Sequence, residues 1–342
     1  MQLKKDRIFY LDEIRALAIL LVVLVHVAQF YPNTLESLTT LTSLSYVSVG
    51  RIGVPLFFML SGALLINKEY TLSNFFKKRL VRVIVPAIFW SLIGLLIFIL
   101  SNGYDYYSLT LWTATFQFPW FVYAIIGIYL IIPVFNSFVK EYGTRGAEYF
   151  LVVWIIFLLF LNLNLKNYFT TTYLFNNIGQ YIGYAILGYY LANKDFNIYA
   201  APMVIFNIVI FVVCFLANLY LVNTYRIIIP YYSLILITES SALFLIFRYL
   251  SKYAKYKPSR ILSKVHTRIE RSFIGNLIYV LSICSYTIYL MHPYILDFII
   301  SVFPIQKFDM IPVIFILTAL LSIIIAIALS LIPKSNRIIG IN

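Results

Sequence analysis

Three side chains in the first apolar stretch of this chain are of types that bind anions or move protons. The stretch from Tyr10 to Tyr31, YLDEIRALAILLVVLVHVAQFY, carries Asp12, Arg15 and His26. At about 100° per residue, a helix here places Arg15 and His26 within roughly 20° of each other and Asp12 about 40° away. Glu13 falls on another side. An arginine inside an apolar span costs about 2.5–3.5 kcal/mol on insertion scales, so ionisable residues there are functional candidates. The face that carries Asp12, Arg15 and His26 is expected to point into the protein. At a rise of 1.5 Å per residue, Arg15 lies about 16 Å and Asp12 about 21 Å from His26 along the axis. A hydrogen bond needs heavy atoms near 3 Å, so these residues do not form an Asp-His-nucleophile triad. Two stations on one helical face suit an elongated ligand, with its reacting end near His26.

Further polar groups interrupt other apolar stretches. Arg51 stands in YVSVGRIGVPLFFMLSG and His292 in SYTIYLMHPYI. With His26, they lie about 7 Å, 9 Å and 6 Å from the outer ends of their spans, taking His26, Arg51 and His292 in turn. Three costly groups from three helices thus share one level. Arg79 and Arg82, in NFFKKRLVRVIVP, sit at a mouth of the bundle. They read as topology anchors or as a phosphate clamp, because a guanidinium forks onto phosphate oxygens. Glu239, in LILITESSALF, lies near mid-membrane, where it could pair with an arginine or serve a proton path. Trp120 and Tyr123, in PWFVYAIIGIYLIIP, read as an aromatic belt or a sugar-stacking platform. Cys214 and Cys284 have no metal-ligand spacing and read as packing residues.

The elements that must position these groups are membrane spans. Of 342 residues 62% are hydrophobic and 11% charged, too apolar for a soluble domain. The expected fold is an all-α polytopic membrane bundle of about ten helices, over 10–31, 45–66, 81–100, 119–139, 147–164, 178–193, 200–222, 227–250, 273–296 and 310–332. The first span is too long for a cleaved signal. Both termini are expected in the cytoplasm. The inner segments then hold Lys4, Lys5 and Arg7; Lys68, Lys77, Lys78, Arg79 and Arg82; Lys140 and Arg145; Lys194; eight cations from Arg248 to Arg271; and Lys334 and Arg337. The outer loops hold only Lys166, Arg226 and Lys307. This asymmetry follows the positive-inside rule and accounts for the net charge of +13 without a nucleic-acid partner. The basic segment Ser251–Arg271 is expected to lie on the anionic inner leaflet or to attract an anionic substrate, with His266 exposed. No repeat and no appended soluble domain are expected.

The distributed motifs resemble the membrane acyltransferase family three, whose members acylate bacterial surface glycans. LDEIRALAILLVVLVH fits the family's Arg-x10-His pattern through Arg15 and His26. RIGVPLFFMLSGALL, the Arg-x-x-Arg of Arg79 and Arg82 followed by Pro86, PWFVYAIIGIYLIIPVF and SYTIYLMHP are similar to its later landmarks. The chain departs from the common form at Glu13, Ile14 and Ala16, near the first arginine, and at Pro119, where a histidine often stands.

The resemblance implies an O-acyltransferase of the bacterial cytoplasmic membrane. Its donor would be a cytoplasmic acyl-CoA, acetyl-CoA by default, and its acceptor a hydroxyl of an extracytoplasmic cell-surface glycan or lipid-linked precursor. Membrane lipid is the only other partner expected, and no metal is. Arg79 and Arg82 would hold the nucleotide phosphates, with Arg15 guiding the phosphate or pantetheine part. The ligand would thread one passage to His26. His26 would act as general base, since histidine titrates near neutrality, or as an acyl-histidine nucleophile. Arg51 and His292 would stabilise the oxyanion or orient the acceptor. Trp120, Tyr123 and Glu239 would contact the acceptor. A transporter or flippase for a glycan or lipid-linked sugar is the competing class, and a purely structural membrane protein the third. Release of free CoA separates the first two.

Overall fold

The computed structural model describes residues 7–30, 38–102, 119–162, 179–226, 228–251, 259–303 and 310–341. Lys4, Lys5, Lys166, Lys252, Lys255, Lys257 and Lys307 of the charge tally lie outside them. The described elements are all helices: α1 (Phe9–Gln29), α2 (Leu38–Gly50), α3 (Gly53–Leu65), α4 (Leu72–Asn102), α5 (Trp120–Asn162), α6 (Gln180–Asn193), α7 (Ala200–Tyr225), α8 (Leu234–Leu250), α9 (Arg260–Glu270), α10 (Phe273–Val302), α11 (Ile311–Ser330) and α12 (Asn336–Ile339).

Six helical stretches among the described residues are long and apolar enough to cross a membrane: Leu41–Leu65, Leu72–Leu100, Trp120–Leu159, Ala200–Tyr225, Phe273–Val302 and Ile311–Ser330. The stretch Trp120–Leu159 takes in most of the predicted spans 119–139 and 147–164, divided at Gly143, whose backbone (φ 59°, ψ −144°) leaves the helical region, and residues 163–164 lie outside the described residues. The helix α1 carries Asp12, Glu13 and Arg15 near its start, and α6 and α8 have 14 and 17 residues. The predicted span 45–66 is two helices meeting at Arg51 and Ile52.

The outward faces of α4, α7 and α11 expose Leu92, Leu96, Val209, Val213, Leu216, Ile316, Leu320 and Ile324. Water would not favour such faces, and a hydrocarbon layer would. The interior is organised around α1, which packs against α2, α3, α8, α10 and α11 and buries Ile14, Ile19, Val23 and Val27.

Two glycine contacts set the helix positions that matter for the site. A Cβ at Gly50 would stand 2.6 Å from the Leu21 carbonyl oxygen, and one at Gly53 2.6 Å from that of Ala18. The bare backbone of Gly50-Arg51-Ile52-Gly53 thus lies directly against α1, and Arg51 is brought to the level of His26. The same device joins α3 to α6. A Cβ at Gly62 would meet the Ala185 carbonyl oxygen at 1.6 Å, and one at Gly188 that of Met59 at 1.9 Å. Small residues let helices approach where apolar driving force between them is weak.

One residue of the basic segment departs from expectation. His266 is buried, 5% exposed, with Nε2 2.8 Å from Glu13 Oε2 and its ring edge-on to Phe9. The helix α9 is strongly amphipathic and turns His266 inward, towards α1, while Ile261 and Val265 stay exposed. Arg248 is also buried, donating to the Leu191 carbonyl near the C-terminus of α6, where free carbonyls favour a cation.

Candidate active site

The side chains singled out by type gather around two adjoining cavities. The larger, of about 230 Å³, is lined by Arg15 of α1, Arg79 and Arg82 of α4, Tyr129 of α5 and Ser285 of α10, with α3 supplying an apolar wall through Leu60 and Leu64. Arg15 and Arg79 are close enough to feel each other's charge, and both act on the Tyr129 phenol. Arg15 is steadied from behind. Its Nη1 donates to Ser282 Oγ at 3.4 Å, and the Ser282 hydroxyl donates to Asp12 Oδ1 at 2.6 Å. Asp12 is buried and takes a further bond from Arg7. No carboxylate stands among the described residues that line this cavity. Three guanidinium groups around one space, with the Asp12 carboxylate set behind Arg15 rather than in the lining, suit a ligand carrying several negative charges.

The smaller cavity, of about 120 Å³, is lined by His26, Gln29, Arg51, Trp120 and Tyr231 among others. His26 Nδ1 lies 2.8 Å from the Val22 carbonyl oxygen. A carbonyl only accepts, so Nδ1 carries the hydrogen and the neutral ring keeps its lone pair on Nε2. His292 repeats the arrangement, with Nδ1 2.9 Å from the Ile288 carbonyl. Pro293 follows it and has no N–H, which frees the Tyr289 carbonyl for the His292 ring as well. The two imidazoles meet edge-on with centroids 4.8 Å apart. His292 is fully buried behind His26 and does not line the cavity, and its Nε2 has no hydrogen-bond partner among the described residues.

The Arg51 guanidinium lies over the Tyr231 ring, 3.9 Å from its centroid, and its Nε has no hydrogen-bond partner among the described residues. Cation–π contact holds the fork without using its donors. Trp120, 44% exposed, is grouped with Tyr181 and Tyr231 at centroid distances of 5.4 and 5.7 Å.

Phe57, Phe121 and Tyr289 line both cavities. Phe121 packs 5.8 Å from Phe57 and 5.1 Å from Tyr289. The single open passage expected from helix faces is therefore divided by an aromatic wall about one side chain thick. Sequence reasoning missed this wall and also Tyr129 and Tyr231. With 29 Tyr and 29 Phe in the chain, no local signal separates these from the rest.

Two predicted contacts are not brought to the cavities. Tyr123 is exposed and lines neither. Glu239 is fully buried between α7 and α8, where Asn218 Nδ2 donates to Oε2 at 3.4 Å, and Asn218 in turn takes the Ser48 hydroxyl. Its neighbour is an amide rather than an arginine. Cys284 is buried, Cys214 is partly so, and both are free thiols. Among the described residues no three His, Cys, Asp or Glu side chains converge in a metal-binding set.

A family model described as an acyltransferase domain matches residues 8–332. No curated protein and no solved structure matches the chain.

Proposed function

Because this chain belongs to the membrane acyltransferase family three, we propose that it moves an acyl group, acetyl by default, from acyl-CoA to a hydroxyl of an extracytoplasmic glycan or its lipid-linked precursor. The cationic cavity faces the cytoplasm in this reading and the histidine cavity faces outward. In this reading the chain crosses a bacterial cytoplasmic membrane ten times, with both termini inside.

The observation that carries the reading is the adjacency of the two cavities. One offers Arg15, Arg79 and Arg82 to an anion, and the other offers a free imidazole nitrogen, with Phe57, Phe121 and Tyr289 lining both. The donor's pyrophosphate binds the guanidinium groups, and its pantetheine arm displaces the wall to bring the thioester to His26. His26 Nε2 takes the proton of the acceptor hydroxyl as its oxygen attacks the thioester carbonyl. The free donors of Arg51 meet the negative charge on that carbonyl oxygen. The carbon–sulfur bond breaks, the ester remains on the acceptor, and the proton passes from His26 to the departing thiolate. Trp120 and Tyr231 offer ring faces to the sugar. His292 orients His26 from behind.

The test is acetyl-CoA supplied to the protein in sealed vesicles carrying glycan acceptor in their lumen. Thiol release matched by one acetyl group gained per acceptor hydroxyl is expected. Movement of intact glycan without thiol release would replace this reading with transport.

A further inference from the structure

A third cavity, of about 270 Å³, adjoins the arginine cavity and shares Leu64, Leu65 and Arg79 with it. It adds Lys68, Tyr70 and Lys78. Exposed lysines at a helix end are ordinary anchors, but three further features mark this place as built. The Tyr70 hydroxyl is buried and has no hydrogen-bond partner among the described residues. A buried hydroxyl in that position is stabilised when an acceptor reaches it. The loop that presents it is fastened down. The Lys68 N–H donates to Asn136 Oδ1 at 3.1 Å, and Asn136 Nδ2 returns a bond to the Lys68 carbonyl at 3.0 Å. Asn136 is itself buried, and Asn67 turns the chain with φ 60°. Finally, the only carboxylate among the described lining residues, Glu69, is 2.8 Å from Lys140 Nζ, so its charge is answered elsewhere. The Tyr70 ring stacks on Phe75 at 4.5 Å. Burial pushes its phenol up to about 12 in spite of the Arg79 charge, so it stays a donor at neutral pH.

We propose that this cavity is a second anion subsite, in which Lys68, Lys78 and the Tyr70 hydroxyl hold a phosphomonoester at the end of the donor remote from its thioester. In a coenzyme A thioester that group is the ribose 3′-phosphate, so the inference rests on the acyl-CoA reading. Arg79 stands between the subsites and serves both. A phosphomonoester carries close to two charges near pH 7 and offers three acceptor oxygens, which matches two ammonium groups and one hydroxyl.

The experiment compares acetyl-CoA with 3′-dephospho-acetyl-CoA on the purified protein in phosphatidylcholine vesicles that carry the glycan acceptor in their lumen. The wild type is expected to prefer acetyl-CoA by roughly 10- to 100-fold in kcat/KM, almost all of it in KM. Lys68→Ala with Lys78→Ala should bring the ratio between the two donors towards one. Tyr70→Phe, which keeps the ring stack, should lower it several-fold. Equal use of both donors by the wild type, or an unaltered ratio in both variants, would overturn the proposal. Equal use combined with activity that depends on added phosphatidic acid, and is lost in the variants, would assign the cavity to a lipid headgroup and overturn it too. Acyl transfer from neither donor would overturn the acyl-CoA reading and the subsite with it.

Discussion

The two adjoining cavities divide the work of the bundle by charge. The larger sets Arg15, Arg79 and Arg82 from two helices against an apolar wall, with no carboxylate among its described lining residues. The smaller holds one guanidinium, stacked on Tyr231, and one imidazole, with a second imidazole packed behind it. Long-range attraction belongs where a charged donor enters. Proton transfer belongs where an imidazole nitrogen keeps its lone pair open. Both His26 and His292 spend Nδ1 on a carbonyl of their own helix, which leaves Nε2 in each as the unassigned atom. A binding station thus differs from a reacting station by which donors remain open, even though both contain arginine.

Substitutions can test this division, beginning with the largest effect expected. His26→Ala should lower kcat by about 10²–10⁴, the range for loss of a general base, with little change in donor KM. A large KM rise instead would move His26 to the binding side. Arg79→Ala should raise donor KM by roughly 10- to 100-fold, since a charge-assisted hydrogen bond contributes about 1.5–3 kcal/mol. A fall in kcat alone would erase the distinction between the cavities. Phe121→Ala should widen the wall, so that the rate with a butyryl donor relative to acetyl rises several-fold. Its cost in stability, about 3–5 kcal/mol, is read from the melting temperature in detergent. An unchanged preference would mean that the acyl chain travels by another path. His266→Ala touches neither cavity. It should leave Glu13 buried without its partner and cost about 1–3 kcal/mol of stability, with donor KM preserved. A shift in KM would tie α9 to the arginine side.

The candidate residues were legible in unequal measure. Arg15, His26 and the Arg79/Arg82 pair stood out because charge in an apolar helix is expensive wherever it occurs. Arg51 and His292 stood out for the same reason, and their shared level with His26 was readable from helical rise alone. Glu239 was equally conspicuous, yet its neighbour Asn218 was not, because a neutral amide gives no comparable signal. His266 looked like one more polar residue on a basic helix. Its bond to Glu13 joins positions 253 residues apart, and no local pattern announces it. The wall of Phe57, Phe121 and Tyr289 was invisible among so many aromatic residues.

What the chain's residues settled on their own is which groups share a helix face and how far apart they lie along its axis, because rotation and rise per residue are nearly constant in an α-helix. Which faces meet was decided only in three dimensions. The glycines that flank Arg51 and those between α3 and α6 let backbones approach at particular heights, and shape complementarity between whole helices then selected the neighbours. Spacing along an axis is a property of one helix, and a cavity is a property of several.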